Sequence, residues 1–336
     1  MHLLSLHLAT VLILVLLPLK YTLAEPADDA RQWLERMIQS AHALNYEGVF
    51  IYMQGQHVEA MRVIHAGTAD GERQRLFSLN GPPREIVVAG NRIVCVTPEQ
   101  QPPLGAGYRR SPFPITLPLK LDQLADQYEF KLADEDRVAG LTTRVIVIQP
   151  RDKLRFGYRL WLNQDNGMVL RSALFDDAGQ WLEQMMFTSV LYKQEIDPAL
   201  LNTPASANPP PPQQNEPAAA EVEPLGEDAV QSSWTLAESE LPRGFRQVTH
   251  YRLSARDVER APEHIVLTDG LATISIFLEP LAGANPLLQG PAQMGAMNAF
   301  GKVLNDYQVL VVGEAPQAAV QMIAAALRSP PPAVAK

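Results

Sequence analysis

The spacing of apolar residues changes once, early in the chain, and that change separates two kinds of structure. From Asp28 to Leu44 the residues Ala30, Trp33, Leu34, Met37, Ile38, Ala41 and Leu44 recur at three- and four-residue steps. That spacing puts one apolar stripe on a 3.6-residue period and predicts an amphipathic helix, with Asp28 and Asp29 where caps and dipole-favoured anions belong. After Asn45 the texture becomes short alternating segments punctuated by turns. Gly48 to Gln54, His57 to Ala66, Glu72 to Leu79, Arg84 to Ala89 and Arg92 to Thr97 read as successive strands of an antiparallel meander. A long Pro- and Gly-rich loop follows between Pro98 and Pro118, and loops of such length in compact domains are often functional. A short helix is predicted over Leu119 to Tyr128, then strands over Thr143 to Gln149, Leu154 to Asn163, Met168 to Phe175 and Gln180 to Tyr192. The turns Asp165-Asn166-Gly167 and Asp176-Asp177-Ala178-Gly179 mark hairpins.

The segment 203–228 contains Pro209-Pro210-Pro211-Pro212 and hardly a large apolar residue. It has too little apolar surface to fold and reads as a partly extended linker. Beyond it, Phe245 to Leu253, His264 to Leu267, Leu271 to Leu278 and Tyr307 to Val312 look like strands. Ser254 to Arg260 and Pro316 to Leu327 look like helices, the latter with Val320, Ile323, Ala324 and Leu327 on one side. The organisation expected is therefore a first domain over 25–202, the linker, a second domain over 229–328 and a Pro-rich tail over 329–336.

The first 24 residues stand apart. Leu3 to Leu19 is almost continuously apolar and leads into Thr22-Leu23-Ala24, with small residues at the two positions that a signal peptidase reads. A cleaved export signal over 1–24 is the expectation. An uncleaved anchor is the alternative, because the run approaches the roughly 17–25 residues that span a bilayer. Either way the remainder is exported. The single cysteine, Cys95, excludes an intrachain disulfide and reads as a buried, inert thiol.

At 336 residues the chain suits two domains, and 46% hydrophobic content excludes wholesale disorder. A formal net charge of −9 argues against a nucleic-acid binder, which needs a basic face for phosphates. No Gly-x-Ser-x-Gly, Walker loop or dinucleotide fingerprint occurs. The histidines beyond the export signal, His42, His57, His65, His250 and His264, show no zinc spacing, so no metal or other cofactor is expected. No residue is assigned a catalytic role.

Three features carry more information. The strands of the first domain are apolar on both alternate sets: in the last, Trp181, Glu183, Met185 and Phe187 face one way, and Leu182, Met186 and Val190 the other. Two apolar faces mean a sheet covered on both sides or curled around a cavity. Basic residues gather around the long loop and beyond it: Arg109, Arg110, Arg144, Arg151, Lys153, Arg155 and Arg159. They suit lipid phosphates or an acidic partner, or form a solvated strand face. A tethered second domain also permits relative motion.

Two stretches then point to a family. Tyr158-Arg-Leu-Trp-Leu-Asn-Gln-Asp-Asn-Gly-Met-Val-Leu-Arg-Ser172 with Phe175-Asp-Asp-Ala-Gly179 resembles the first domain of the MucB/RseB proteins. Leu241-Pro-Arg-Gly-Phe245 and Glu263-His-Ile-Val-Leu-Thr-Asp-Gly-Leu-Ala-Thr-Ile-Ser-Ile-Phe277 resemble the second, with Thr268 where the family carries serine. The resemblance implies a β-rich α+β fold: a curved antiparallel half-barrel with covering helices, like that of envelope lipoprotein carriers, followed by a smaller α+β domain. It implies a periplasmic, non-enzymatic negative regulator of an extracytoplasmic-function sigma factor. Such a protein binds the periplasmic part of a membrane-spanning anti-sigma factor of the MucA/RseA kind and protects it from regulated proteolysis. Lipid or lipopolysaccharide fragments release it, and alginate control is one output. A homo-oligomer is compatible with this reading. A periplasmic lipid or lipoprotein carrier is the alternative. For a lipid cavity, strand alternation selects Val49, Ile51, Leu160, Leu162, Leu170, Met185 and Phe187. For contact with partner or lipid, the candidates are Arg109 and Arg110 in the long loop, and Asp269 and Gly270, which a tight β-turn also explains.

Overall fold

The computed structural model describes residues 26–68, 71–89, 92–96, 117–118, 120–202, 234–252 and 262–329. The export signal, the long loop with Arg109 and Arg110, the linker 203–228, the helix expected over 254–260 and nearly all of the tail lie outside these residues.

The chain opens with α1 (Pro26–Ala43), close to the helix its stripe predicts. Ten antiparallel strands follow: β1 (Tyr46–Gln54), β2 (His57–Thr68), β3 (Gly71–Ser78), β4 (Glu85–Ala89), β5 (Arg92–Val96), β6 (Tyr128–Val138), β7 (Leu141–Pro150), β8 (Gly157–Asn163), β9 (Val169–Phe175) and β10 (Trp181–Tyr192). They form one sheet in the order β5-β4-β3-β2-β1-β10-β9-β8-β7-β6, two meanders joined where β1 pairs with β10. Strands β6 and β10 touch although three strands separate them in hydrogen-bond order, so this half of the sheet curls. Bulges at Val49/Phe50, Leu132/Glu135 and Trp161/Leu162 increase the bend. Among the described residues the sheet does not close, and β5 and β6 are its two edges. The result is the β-rich half-barrel.

One expected element is replaced. In place of a helix over 119–128, Leu121–Leu124 makes a single 3-10 turn and the chain enters β6 at Tyr128. Leu121 and Leu124 are buried, but they are anchors of a turn rather than the start of a stripe.

Helix α1 lies across one face of the sheet. Its Ala30, Leu34 and Met37 share a core with Tyr128, Phe130, Ile146, Ile148, Leu160 and Leu162. At its C-terminal end the hairpin turn Asp165-Asn166-Gly167 is bound to it. Arg36 donates to the carbonyl of Gln164 at 3.0 Å, and Ser40 donates to that of Asn166. Gly167 is required here: its φ is +78°, and a Cβ would sit 2.7 Å from Arg36 Cγ. A second fastening lies on β2 and β3. The buried His65 ring stacks on Tyr46 at 4.9 Å, with Nδ1 2.8 Å from the Leu44 carbonyl and Nε2 3.4 Å from Glu72.

The second sheet is smaller. β12 (Arg246–Arg252), β13 (Glu263–Thr268), β14 (Thr273–Pro280), β15 (Gly290–Met294), β16 (Met297–Leu304) and β17 (Tyr307–Gly313) assemble in the order β12-β13-β14-β17-β16-β15. β11 (Thr235–Leu236) pairs separately with β18 (Leu327–Arg328). Helix α2 (Gln317–Ala326) follows the expected stripe and presses Val320, Ile323 and Ala324 onto Ile276, Leu278, Val309 and Val311. The hairpin of β15 and β16 has no counterpart among the strands that the sequence pattern predicts.

The hydrogen bond from His65, more than any other cause, lowers the Glu72 carboxyl below its ordinary value of 4.5. A carboxylate held low contributes stability that is complete above its unfolded value and lost as pH falls through the folded one. The Glu72→Gln variant should therefore lose less stability than the parent below about pH 4.5, seen as a flatter acid limb in urea unfolding midpoints against pH.

Candidate functional site: the junction of the two sheets

The two sheets meet around one arginine. Arg155 stands in the loop between β7 and β8, and its side chain has no exposed surface. Nη1 donates to Asp269 Oδ2 at 2.9 Å, Nη2 to the Arg243 carbonyl at 2.6 Å, and Nε to Asp152 Oδ1 at 3.1 Å. The guanidinium also lies over the rings of Tyr128 and Phe245, at 5.7 and 5.4 Å from their centroids. An arginine this deep must be paired and hydrogen-bonded on every side, because desolvating a charge costs several kcal/mol.

Asp269 meets the same demand. It is 0% exposed in its side chain and accepts four hydrogen bonds. Oδ2 takes the Tyr128 hydroxyl and Arg155 Nη1, both at 2.9 Å; Oδ1 takes the backbone N–H groups of Leu271 and Ala272 at 2.9 and 2.8 Å. The turn over 268–272 thus preorganises the carboxylate. Thr268 closes the turn, donating to the Ala272 carbonyl at 2.7 Å and accepting from the Gly270 N–H at 2.9 Å. A hydroxyl is what this position needs, so threonine serves in place of serine. Gly270 has φ of +102°, and a Cβ there would come within 3.0 Å of Leu124 on the first sheet's 3-10 turn. Burial first, and then the adjacent Asp269 carboxylate, push the Tyr128 hydroxyl well above its ordinary value, which keeps it a proton donor.

Smaller contacts surround this pair. Gly244 packs against the Gln127 side chain and Gly295 against Gln54. Ala296 and Leu271 join the first sheet's core, while Leu154 joins that of the second. The stretches Leu241–Phe245 and Thr268–Leu271 therefore converge on Arg155, Tyr128, Gln127 and Leu124. Beside the junction lies a shallow open hollow, with room for about one water (≈ 10 Å³), lined by Tyr158, Ser172, Leu174, Glu183, Gln184 and Glu314.

Matches to known proteins cover both sheets. The MucB/RseB N-terminal domain model fits residues 29–205, and the MucB/RseB C-terminal domain model fits residues 228–328. The chain belongs to the MucB/RseB family. It is 31% identical over 330 residues to the sigma factor AlgU regulatory protein MucB of Pseudomonas aeruginosa, covering 95% of this chain and 97% of MucB. It is 28% identical over 303 residues to the sigma-E factor regulatory protein RseB of Escherichia coli K12, covering 90% of each. The crystal structure of MucB in complex with MucA(peri) matches 90% of this chain and 100% of that one, at 26% identity and a TM-score of 0.69.

The residues selected for a lipid cavity divide between the faces of the MucB/RseB half-barrel. Leu160 stands opposite Ile146 and Ser172, and Met185 opposite Ser172 and Tyr52. Phe187 stands opposite Phe50, Leu162 follows Leu160 by two residues, and the bulge at Trp161/Leu162 puts Val169 rather than Leu170 opposite Leu162. Leu160 and Leu162 share the core that α1 covers, Leu170, Met185 and Phe187 sit in a second core with Phe50 and Met61, and none of the five is more than 1% exposed. Val49 and Ile51 lie on the other face, where Ile51 pairs with Met186; the inward residues of β1 are Tyr46, Gly48 and Phe50.

The basic cluster does not form a single patch among the described residues. Arg144 pairs with Glu135 at 2.8 Å, Lys153 with Asp177 at 3.2 Å, and Arg151 donates to the Ala125 carbonyl. Arg155 is internal, and Arg159 is exposed. Asp269, expected as an outside contact, spends its carboxylate inside the chain. Sequence reasoning missed Arg155 and Tyr128 as its partners; the only trace was the double mark of Pro-Arg-Gly-Phe and Thr-Asp-Gly-Leu on the opposite sheet. Among the described residues no group of three His, Cys, Asp or Glu could hold a metal, and no helix is long and apolar enough to cross a membrane.

Removing the Tyr128 hydroxyl leaves one Asp269 lone pair dry. The Tyr128→Phe variant should lose about 1–3 kcal/mol, measured by equilibrium urea unfolding of the full chain.

Proposed function

We propose that this protein is a periplasmic, non-enzymatic negative regulator of an extracytoplasmic-function sigma factor, and that it acts by holding the periplasmic part of a membrane-spanning anti-sigma factor. The observation that carries this reading is the whole-length likeness, through both family domains, to a MucB captured with MucA(peri). The regulatory names of MucB and RseB support it. In this reading the bound segment is shielded from proteolysis, and an acyl-bearing lipid releases it. The apolar wall of Leu160, Leu162, Leu170, Met185 and Phe187 supports the lipid step, because burying an acyl chain contributes about 0.8 kcal/mol per methylene. That wall is already packed, so the lipid must take the place of side chains that now cover it. Arg109 and Arg110 supply the cationic contact to lipid or partner.

Titration calorimetry of the mature protein against the anti-sigma factor's periplasmic segment tests this. Binding at micromolar concentration or tighter is expected, weakened by lipopolysaccharide and by reversing the charge of Arg109 and Arg110 together. No binding at micromolar concentration would reject the regulator. Binding indifferent to lipid would reject the release step, and binding indifferent to charge reversal would remove the two arginines from the contact.

A further inference from the structure

The junction has the makings of a two-state device. Its centre is one positive and one negative charge, both without exposed surface, each contributed by a different sheet. Around them the contacts are small: Gly270 on Leu124, Gly244 on Gln127, Gly295 on Gln54. Most of each sheet's apolar core is its own; Ala296 and Leu271 of the second sheet reach into the first's, and Leu154 of the first reaches into the second's. Asp269 also keeps its two turn hydrogen bonds whether or not Arg155 is present, because both come from its own turn. Arg155 likewise retains Asp152 from its own loop. Separation would return both charges to water with their local partners intact. Loss of one partner in the closed state would strand the other in a dry site. Half-broken states are therefore disfavoured, and the pair is stable either shut or fully open.

We infer that the Arg155–Asp269 pair is a latch, whose closed form fixes the two sheets in the arrangement that holds the anti-sigma segment and whose opening frees the second sheet as an intact body. The partner-holding half of this statement rests on the function proposed above; the latch itself does not. MucB carrying MucA(peri) and MucB alone each match 90% of this chain, with TM-scores of 0.69 and 0.61, so the arrangement shown here lies nearer the one that carries the segment. A signal that opens the latch would release the segment without touching the surface that binds it.

The test uses the full mature chain and three variants: Arg155→Met, Asp269→Asn and the double substitution. Small-angle X-ray scattering reads separation without any partner. Each single variant should keep its circular dichroism and gain a larger maximum dimension with a two-lobed distance distribution. The double variant has no stranded charge, and the side-chain amide oxygen introduced by Asp269→Asn can still accept from the turn, so it should return to the compact profile. In calorimetry the single variants should bind the anti-sigma segment weaker by on the order of tenfold or more, and the double should recover most of that loss. A merely structural role gives additive damage, with the double worse than either single. That result would overturn the latch, as would single variants as compact as the parent, or single variants that unfold throughout. If the parent itself fails to bind the segment, the function proposed above fails, and scattering still decides whether the latch exists.

Discussion

Moving a guanidinium and a carboxylate into a site with no exposed surface costs several kcal/mol for each ion before any contact is counted. Arg155 and Asp269 offset that cost with a complete set of directed partners: three acceptors around the guanidinium, four donors around the carboxylate, and two aromatic faces. The donors and acceptors come from the β7–β8 loop and the start of β6 on one side, and from two turns of the second sheet on the other. Directed partners from four segments are satisfied together only in one relative placement. The pair therefore contributes orientation more than net stability, which is the best-attested use of buried ionic groups.

The same constraint explains the residues next to it. Glycines at 244, 270 and 295 stand where backbone from one sheet comes against side chains of the other, and each has a positive φ. Thr268 and Asp269 shape a turn so tightly bonded that the carboxylate is aimed before the second sheet arrives. The stretches that mark the second family domain are in this view the machinery of docking. The function of a binding protein with two domains depends on where the second one stands, so an orienting contact is as consequential as a residue that touches the partner.

Much of the architecture was legible in the chain. Helix α1 and helix α2 announce themselves by their stripes, and the hairpins by Asn-Gly and Asp-Gly turns, because these signals are local. Strand β6 is invisible to such a reading. Its middle runs Lys-Leu-Ala-Asp-Glu-Asp-Arg, the charged sequence of a protected sheet edge, and the leucines before it mimic a helical step. The hairpin of β15 and β16 is disguised at its tip: β15 is Gly-Pro-Ala-Gln-Met and β16 opens Met-Asn-Ala, residues that carry no strand pattern, before Phe300, Val303 and Leu304. Val49 and Ile51 fall to the inner face on pattern alone because β1 is apolar on both sides; only pairing with β2 and β10 decides which side is covered. Arg155 reads as one more surface cation for a related reason. Burial of a charge is a tertiary fact, and nothing in the sequence around Arg155 reveals that a carboxylate more than a hundred positions away will meet it.

The two sheets close over a dry ion pair, and the central expectation is that they behave in the free protein as one body. Hydrogen exchange of the mature chain addresses this most directly at the backbone amides of Leu271 and Ala272, which donate to Asp269, and of Leu154, which donates to Asp152. If the junction is closed, these loop amides exchange slowly and at a common rate, like amides of a core rather than of turns. Rapid exchange at the rate of exposed turns, with the strands on either side still protected, would show the sheets apart in solution and contradict it.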